Sequence, residues 1–171
     1  MTLTTHALVG AAAASFFPES PWLAFSAGVA SHLAADAIPH WDYKYYLRSV
    51  EEGSDKLQNR WRTGPDFWHD LRLFALDALL GFVLTFVVAY IIGIPPWLAL
   101  IGAGAGLYPD LLTFAYSKTR EWAPAVAELY EPIQRFHNKV QWKELHHLPA
   151  WQGIAMQLLL VVLVVALAAR F

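Results

Sequence analysis

The sequence predicts an all-α, polytopic membrane helix bundle of about five apolar helices, on three observations. Hydrophobic residues make up 57% of the 171-residue chain and charged residues 15%, a balance displaced from soluble domains toward membrane proteins. Residues 73–94 and 150–169 contain a single charge between them, Asp77, and match the ~20 residues that cross a bilayer core. The ionisable groups that enter apolar segments are histidines and aspartates, never lysines or arginines.

The first segment, residues 3–17, is short for a span and is expected to be tilted, re-entrant or shielded by other helices. No Lys or Arg precedes it, so it lacks the basic flank of a secretory signal and reads as a retained element. FPESP, with two prolines, reads as a turn, and residues 22–38 make the second helix. Pro39 disfavours helix at the residue before it, so this helix is expected to stop near Ile38. Residues 73–94 form the third helix and residues 96–116 the fourth, joined tightly at Pro95-Pro96. Residues 150–169 form the fifth, with Arg170 as an interfacial stop.

Two polar loops remain, residues 40–70 and 117–148. The first carries Lys44, Arg48, Lys56, Arg60 and Arg62; the second carries Lys118, Arg120, Arg135, Lys139 and Lys143. Five spans with short turns elsewhere put both loops and the N-terminus on one side. The positive-inside rule makes that side cytoplasmic and the C-terminus external. A faint internal repeat accompanies this pattern: PWLAFSAGVASHLAAD (21–36) resembles PWLALIGAGAGLYPD (96–110). Duplication puts binding sites between halves, although small-residue composition also produces such matches.

Composition narrows the function classes. A formal net charge of -2 lacks the basic excess of a nucleic-acid binder, so no nucleic-acid partner is expected. With no cysteine in the chain, thiolate zinc sites, iron–sulfur clusters and Cys nucleophiles are excluded. Ionisable groups in hydrocarbon cost at least ~2.5–3.5 kcal/mol, so they mark function with a partner nearby.

The predicted topology gathers those groups at one leaflet. His6 opens the first helix, and His32 and Asp36 close the second, four residues apart and so on one face. Asp77 lies about a turn into the third helix and Asp110 near the end of the fourth. His6, His32, Asp36, Asp77 and Asp110 are therefore the candidate metal ligands. His40 and Asp42, in the PHWDY turn, can swing toward the same pocket as candidate catalytic groups. His146, beside His147 and Glu144 before the last helix, is a third candidate general base. His137 and the His69-Asp70 pair are weaker candidates because interfacial histidines are common. Mixed His/Asp donors suit Zn, Mn, Mg or non-haem Fe, and the residues do not choose among them. Each group also has a bland reading as a helix-end or paired polar side chain.

Three motifs carry a resemblance. TTHALVGAA at the start, SHLAADAIPHWDY, and the later GLYPD resemble the membrane-bound metal-dependent hydrolases. That family comprises small bacterial inner-membrane proteins, some LexA-regulated, with distant likeness to zinc-dependent phospholipase C. Thr5-His6 matches its early Thr-His, PHWDY approximates its Pro-Asp-x-Asp-His segment, and His146-His147 stands where a later His motif is expected. The family's Asp after proline is His40 here, and its His-Arg…His-Ser segment is absent in recognisable form. The resemblance implies a hydrolase, a divalent metal (zinc first, with manganese or magnesium as alternatives) and the bacterial inner membrane.

The leading expectation is a metal-dependent hydrolase acting on a lipid or lipid-linked phosphoester at the cytoplasmic leaflet, with Arg60, Arg62 and Lys139 available to headgroups. The alternatives are a metal- or proton-handling membrane protein, which calls for polar groups spread through the bilayer depth, and a structural protein whose polar groups pair internally.

Overall fold

Helix α1 (Leu3–Ala14) is the centre of the molecule. Nine of its 12 residues are buried, and α2 (Pro21–Asp36), α3 (Pro65–Ile92), α4 (Pro96–Trp122) and α6 (Ala150–Ala168) all pack on it. A helix apolar on all sides needs such an enclosure. The computed structural model describes residues 1–42, 47–51, 57, 59–141 and 149–170. Among these the chain is otherwise completed by α5 (Pro124–Val140) and by an antiparallel pair, β1 (Val50–Glu51) and β2 (Arg60–Trp61), in which Val50 faces Trp61.

Local sequence fixes the helix ends. Thr2 caps α1 by accepting from Thr5 N, and Ser20 caps α2 by accepting from Leu23 N, with Pro21 in the first turn. Pro65 opens α3 with Asp66 in its first turn, and Gly93 ends it at φ 82°, a left-handed cap that glycine adopts without steric cost. Pro96 then opens α4, so the tight connection expected at Pro95-Pro96 is present.

Small residues set how closely the helices approach. A Cβ at Gly28 would lie 2.6 Å from Ala105 Cβ, and one at Gly102 2.6 Å from Ala11 Cα; one at Gly106 would run into the His6 carbonyl. Glycine-mediated backbone contact of this kind is a membrane-helix packing mode. At the opposite end of the bundle Ala14, Ala24, Ala89, Ile94, Leu98 and Ala99 form an apolar cluster. The α1–α2 and α3–α4 turns therefore share one end, and the starts of α1 and α6 share the other.

Three helices, α3, α4 and α6, are long and apolar enough to cross a membrane. At ~1.5 Å per residue the 12 residues of α1 reach about 18 Å, well under a ~30 Å hydrocarbon core. Leu76, Leu80, Tyr90, Ile91, Leu158 and Val162 are all more than half exposed, an outer surface suited to lipid rather than to water.

Several expected boundaries shift. The first helix stops at Ala14 rather than residue 17, because Ser15 turns its hydroxyl back onto Ala12 O and the chain enters the turn. Helix α3 begins at Pro65 instead of residue 73: Asp70 accepts from Arg48 N, Ser49 N and Ser49 Oγ and ties that polar first turn to the preceding segment. Helix α4 runs on to Trp122, beyond the expected residue 116. The expected 117–148 loop contains α5, whose polar composition hides its helical period.

Candidate metal centre

Four elements bring five histidine and aspartate side chains together at the end of the bundle where α1 and α6 begin. His6 comes from α1, His32 and Asp36 from α2, Asp110 from α4 and His137 from α5. Ligand atoms of His32, Asp36, Asp110 and His137 lie within 4.8 Å of one another. His6, His32 and Asp36 are fully enclosed, while Asp110 is 30% exposed in its side chain.

The outer contacts orient the rings. His32 Nδ1 donates to Gly106 O at 2.7 Å, which in the neutral ring leaves Nε2 with its lone pair. Pro109 lies inside α4 and has no N–H to give Ala105, so the helix ladder is interrupted within a turn of that carbonyl. Thr113 has one hydroxyl proton and faces two acceptors, Pro109 O at 3.0 Å and Gln134 Oε1 at 2.8 Å. The 3.2 Å contact from His137 Nδ1 to Thr113 Oγ1 is therefore donated by the imidazole. These tautomers follow from the hydrogen-bond network.

Both inner nitrogens then present lone pairs to the same carboxylate oxygen. His32 Nε2 lies 3.1 Å from His137 Nε2, and Asp36 Oδ2 lies 3.4 Å from the first and 3.2 Å from the second. With both rings neutral, three such atoms repel unless a cation, a metal ion or a proton, lies among them. Tetrahedral ligands at about 2.0–2.1 Å from zinc stand roughly 3.3–3.4 Å apart, close to the edges of this triangle. The donor set thus fits a divalent metal.

His6 stacks on His32 with ring centroids 3.8 Å apart, and its Nε2 is 3.2 Å from Asp36 Oδ1 and 3.9 Å from Asp110 Oδ2. Among the described residues neither His6 nitrogen has a hydrogen-bond partner. His40 Nδ1 donates to Ile38 O at 2.7 Å and its Nε2 lies 3.9 Å from Asp36 Oδ1. Burial, reinforced by the nearby Met1 ammonium, holds His40 below the ordinary histidine value of 6.5, so it is neutral at neutral pH. The Met1 nitrogen is 3.4 Å from Asp36 Oδ1 and 3.9 Å from Asp42 Oδ2.

Asp77 stands apart from this group. Its carboxylate accepts from Leu3 N at 2.6 Å, Thr4 N at 3.3 Å and Thr4 Oγ1 at 2.6 Å, closing the start of α1. Gln157 of α6 does the same work from the other side: its Oε1 accepts from Thr2 N, Thr2 Oγ1 and Thr5 Oγ1, and its amide donates to Trp41 O. By sequence Asp77 joins the ligands because it is an acid inside an apolar run at the right depth; its half-buried carboxylate instead answers backbone donors that a helix start leaves open, together with the Thr4 hydroxyl. His146, Glu144 and His147 lie outside the described residues.

His137 is the residue that sequence reasoning ranked too low. Its signal is helical spacing: Ala127, Gln134 and His137 are the buried residues of α5, and only one face of that helix places all three inward.

Beside the cluster lies a cavity of about 410 Å³ between α3 and α4. Trp61, Phe67, Phe74 and Phe114 line its apolar part, and Asp42, Asp110 and Gln141 line it where it meets the cluster. The chain matches no family model, no curated protein and no solved structure.

Proposed function

We propose that the chain is a membrane-embedded, metal-dependent hydrolase acting on a lipid or lipid-linked phosphoester. The observation that carries the reading is the triangle of His32 Nε2, His137 Nε2 and Asp36 Oδ2, whose outer hydrogen bonds leave all three atoms with lone pairs facing inward. His32, Asp36, Asp110 and His137 would hold the metal. A divalent metal bound there supplies Lewis acidity and a water of lowered pKa.

The protein's own groups do the rest. Asp42, beside the Met1 nitrogen, and His40, whose Nε2 lies 3.9 Å from Asp36 Oδ1, flank the ligands, and either can take a proton from an attacking water. Asp110 faces both the cluster and the cavity, so a scissile group held against it has its apolar arm among Trp61, Phe67, Phe74 and Phe114. An amphiphile fits that division between polar end and apolar wall. The resemblance to membrane-bound metal-dependent hydrolases points to the same reaction class, to zinc, and to the bacterial inner membrane with its cytoplasmic leaflet as the working surface. The positive loops support that orientation.

The test is metal content of detergent-purified protein by plasma mass spectrometry, wild type beside a His32→Ala/Asp36→Ala double variant, followed by lipid-phosphoester hydrolysis with and without chelator. The reading expects bound metal that the variant loses and activity that the chelator removes. No metal in the wild type after supplying Zn or Mn would favour a proton held between Asp36 and its histidines, and with it the structural alternative.

A further inference from the structure

We infer that the centre holds two metal ions, with Asp36 and Asp110 bridging them; the inference rests on the metal reading above and extends it. The observation is the way each carboxylate divides its oxygens. Asp36 turns Oδ2 to His32 and His137, at 3.4 and 3.2 Å, and Oδ1 to His6, at 3.2 Å, and to the Met1 ammonium, at 3.4 Å, which a second metal ion would have to displace. Asp110 turns Oδ1 to His32 at 3.8 Å and Oδ2 to His6 at 3.9 Å. Each carboxylate thus addresses two positions, one bounded by His32 and His137 and the other by His6.

The second position has its own unmet need. His6 is fully buried, and both its nitrogens lack a hydrogen-bond partner among the described residues. Asp36 Oδ1, 3.2 Å from His6 Nε2, is out of hydrogen-bond alignment with it, and a buried imidazole left so costs free energy that a bound cation removes. His40 Nε2, likewise buried without a partner among the described residues, lies on the same side of Asp36.

Spacing agrees with the assignment. The His6 and His32 rings stack with centroids 3.8 Å apart and planes 23° from parallel, and both aim Nε2 at the same two carboxylates. Two stacked imidazoles therefore deliver lone pairs to two points separated by about the ring spacing, and paired hydrolytic metals sit ~3.5–4 Å apart. The stack excludes a charge on both rings at once, and neutral imidazole is the state that binds metal. Paired ions of this kind clamp the attacking and leaving oxygens of an in-line displacement, so a phosphoester is favoured over a carboxylic ester as substrate.

The experiment is metal stoichiometry of the full chain in detergent, loaded with Mn and desalted, read by plasma mass spectrometry and by electron paramagnetic resonance. We expect two Mn per wild-type chain with an exchange-coupled spectrum. His6→Ala and His137→Ala should each retain one ion and show an uncoupled spectrum, and Asp36→Ala should retain none. One uncoupled Mn in the wild type overturns the second position and leaves the hydrolase reading standing, with the Met1 ammonium as the cation on that side. Two ions retained by His6→Ala also overturn the assignment. No bound Mn or Zn overturns both readings. If the variants do not fold, the wild-type stoichiometry and spectrum still decide.

Discussion

Thr113 and Asp77 show how one side chain acts through another. Thr113 touches no candidate ligand atom that faces the metal position, yet its hydroxyl fixes the His137 tautomer. Partners of this kind contribute about 10–100-fold to metal affinity. Thr113→Val, which keeps the shape and removes the acceptor, should lose affinity in that range, and Thr113→Ser should restore it, measured by competition with a metal indicator. Asp77 makes the opposite case. Its carboxylate answers three donors at the start of α1, and an unanswered buried donor costs about 1–3 kcal/mol. Asp77→Ala should therefore lower the unfolding midpoint in detergent while the folded fraction keeps its metal. Metal lost without loss of stability would return Asp77 to the ligand set.

Elements bring the ligands together, and glycine controls how near they come. A methyl at Gly106 meets the His6 carbonyl, backbone against backbone, whereas one at Gly104 meets nothing within 4 Å. Gly106→Ala should force α1 from α4, cost about 1–3 kcal/mol as an overpacked contact, and lose metal because His6 and Gly106 O both move. Gly104→Ala, in the same helix, should be neutral or stabilise by up to ~1 kcal/mol. Thermal unfolding and metal content of the two variants, side by side, check the pair. Much of this level was legible in the chain: His32 and Asp36 share a face by spacing alone, and the apolar runs of α3, α4 and α6 declare themselves by length. Helix α5 was not, because its mean hydropathy is that of a loop and only its angular pattern is helical. The inward role of His137 depends on that helix, so missing the element meant underrating the residue. The role of Asp77 was hidden for another reason: nothing in one sequence says that an acid in an apolar run will meet backbone N–H groups rather than a metal.

The whole molecule has a polar end and an apolar end, and under the proposed hydrolase reading its orientation in the membrane decides which leaflet supplies the substrate. Helix α5 carries Val126, Leu129, Ile133 and Phe136 exposed on one side and Glu128, Glu131, Arg135 and Lys139 on the other, the pattern of a helix lying in the interface. Its third flank, through Gln134 and His137, closes the cluster. With α5 in the interface, as the proposed function has it, the centre lies at the boundary between headgroups and hydrocarbon. The absence of cysteine from the chain makes the orientation directly measurable with single introduced thiols. Glu19, Glu51 and Lys139 are exposed, the first in the α1–α2 turn, the second in β1 and the third in α5. If the proposed orientation holds, then with the chain expressed in a Gram-negative host and a membrane-impermeant maleimide, Glu19→Cys should react in cells whose outer membrane alone is permeabilised. Glu51→Cys and Lys139→Cys should react only after the inner membrane is opened. The reverse pattern would put the centre on the external leaflet and make its substrate a lipid of that face, with the positive loops overridden by the packing of α1 inside the bundle.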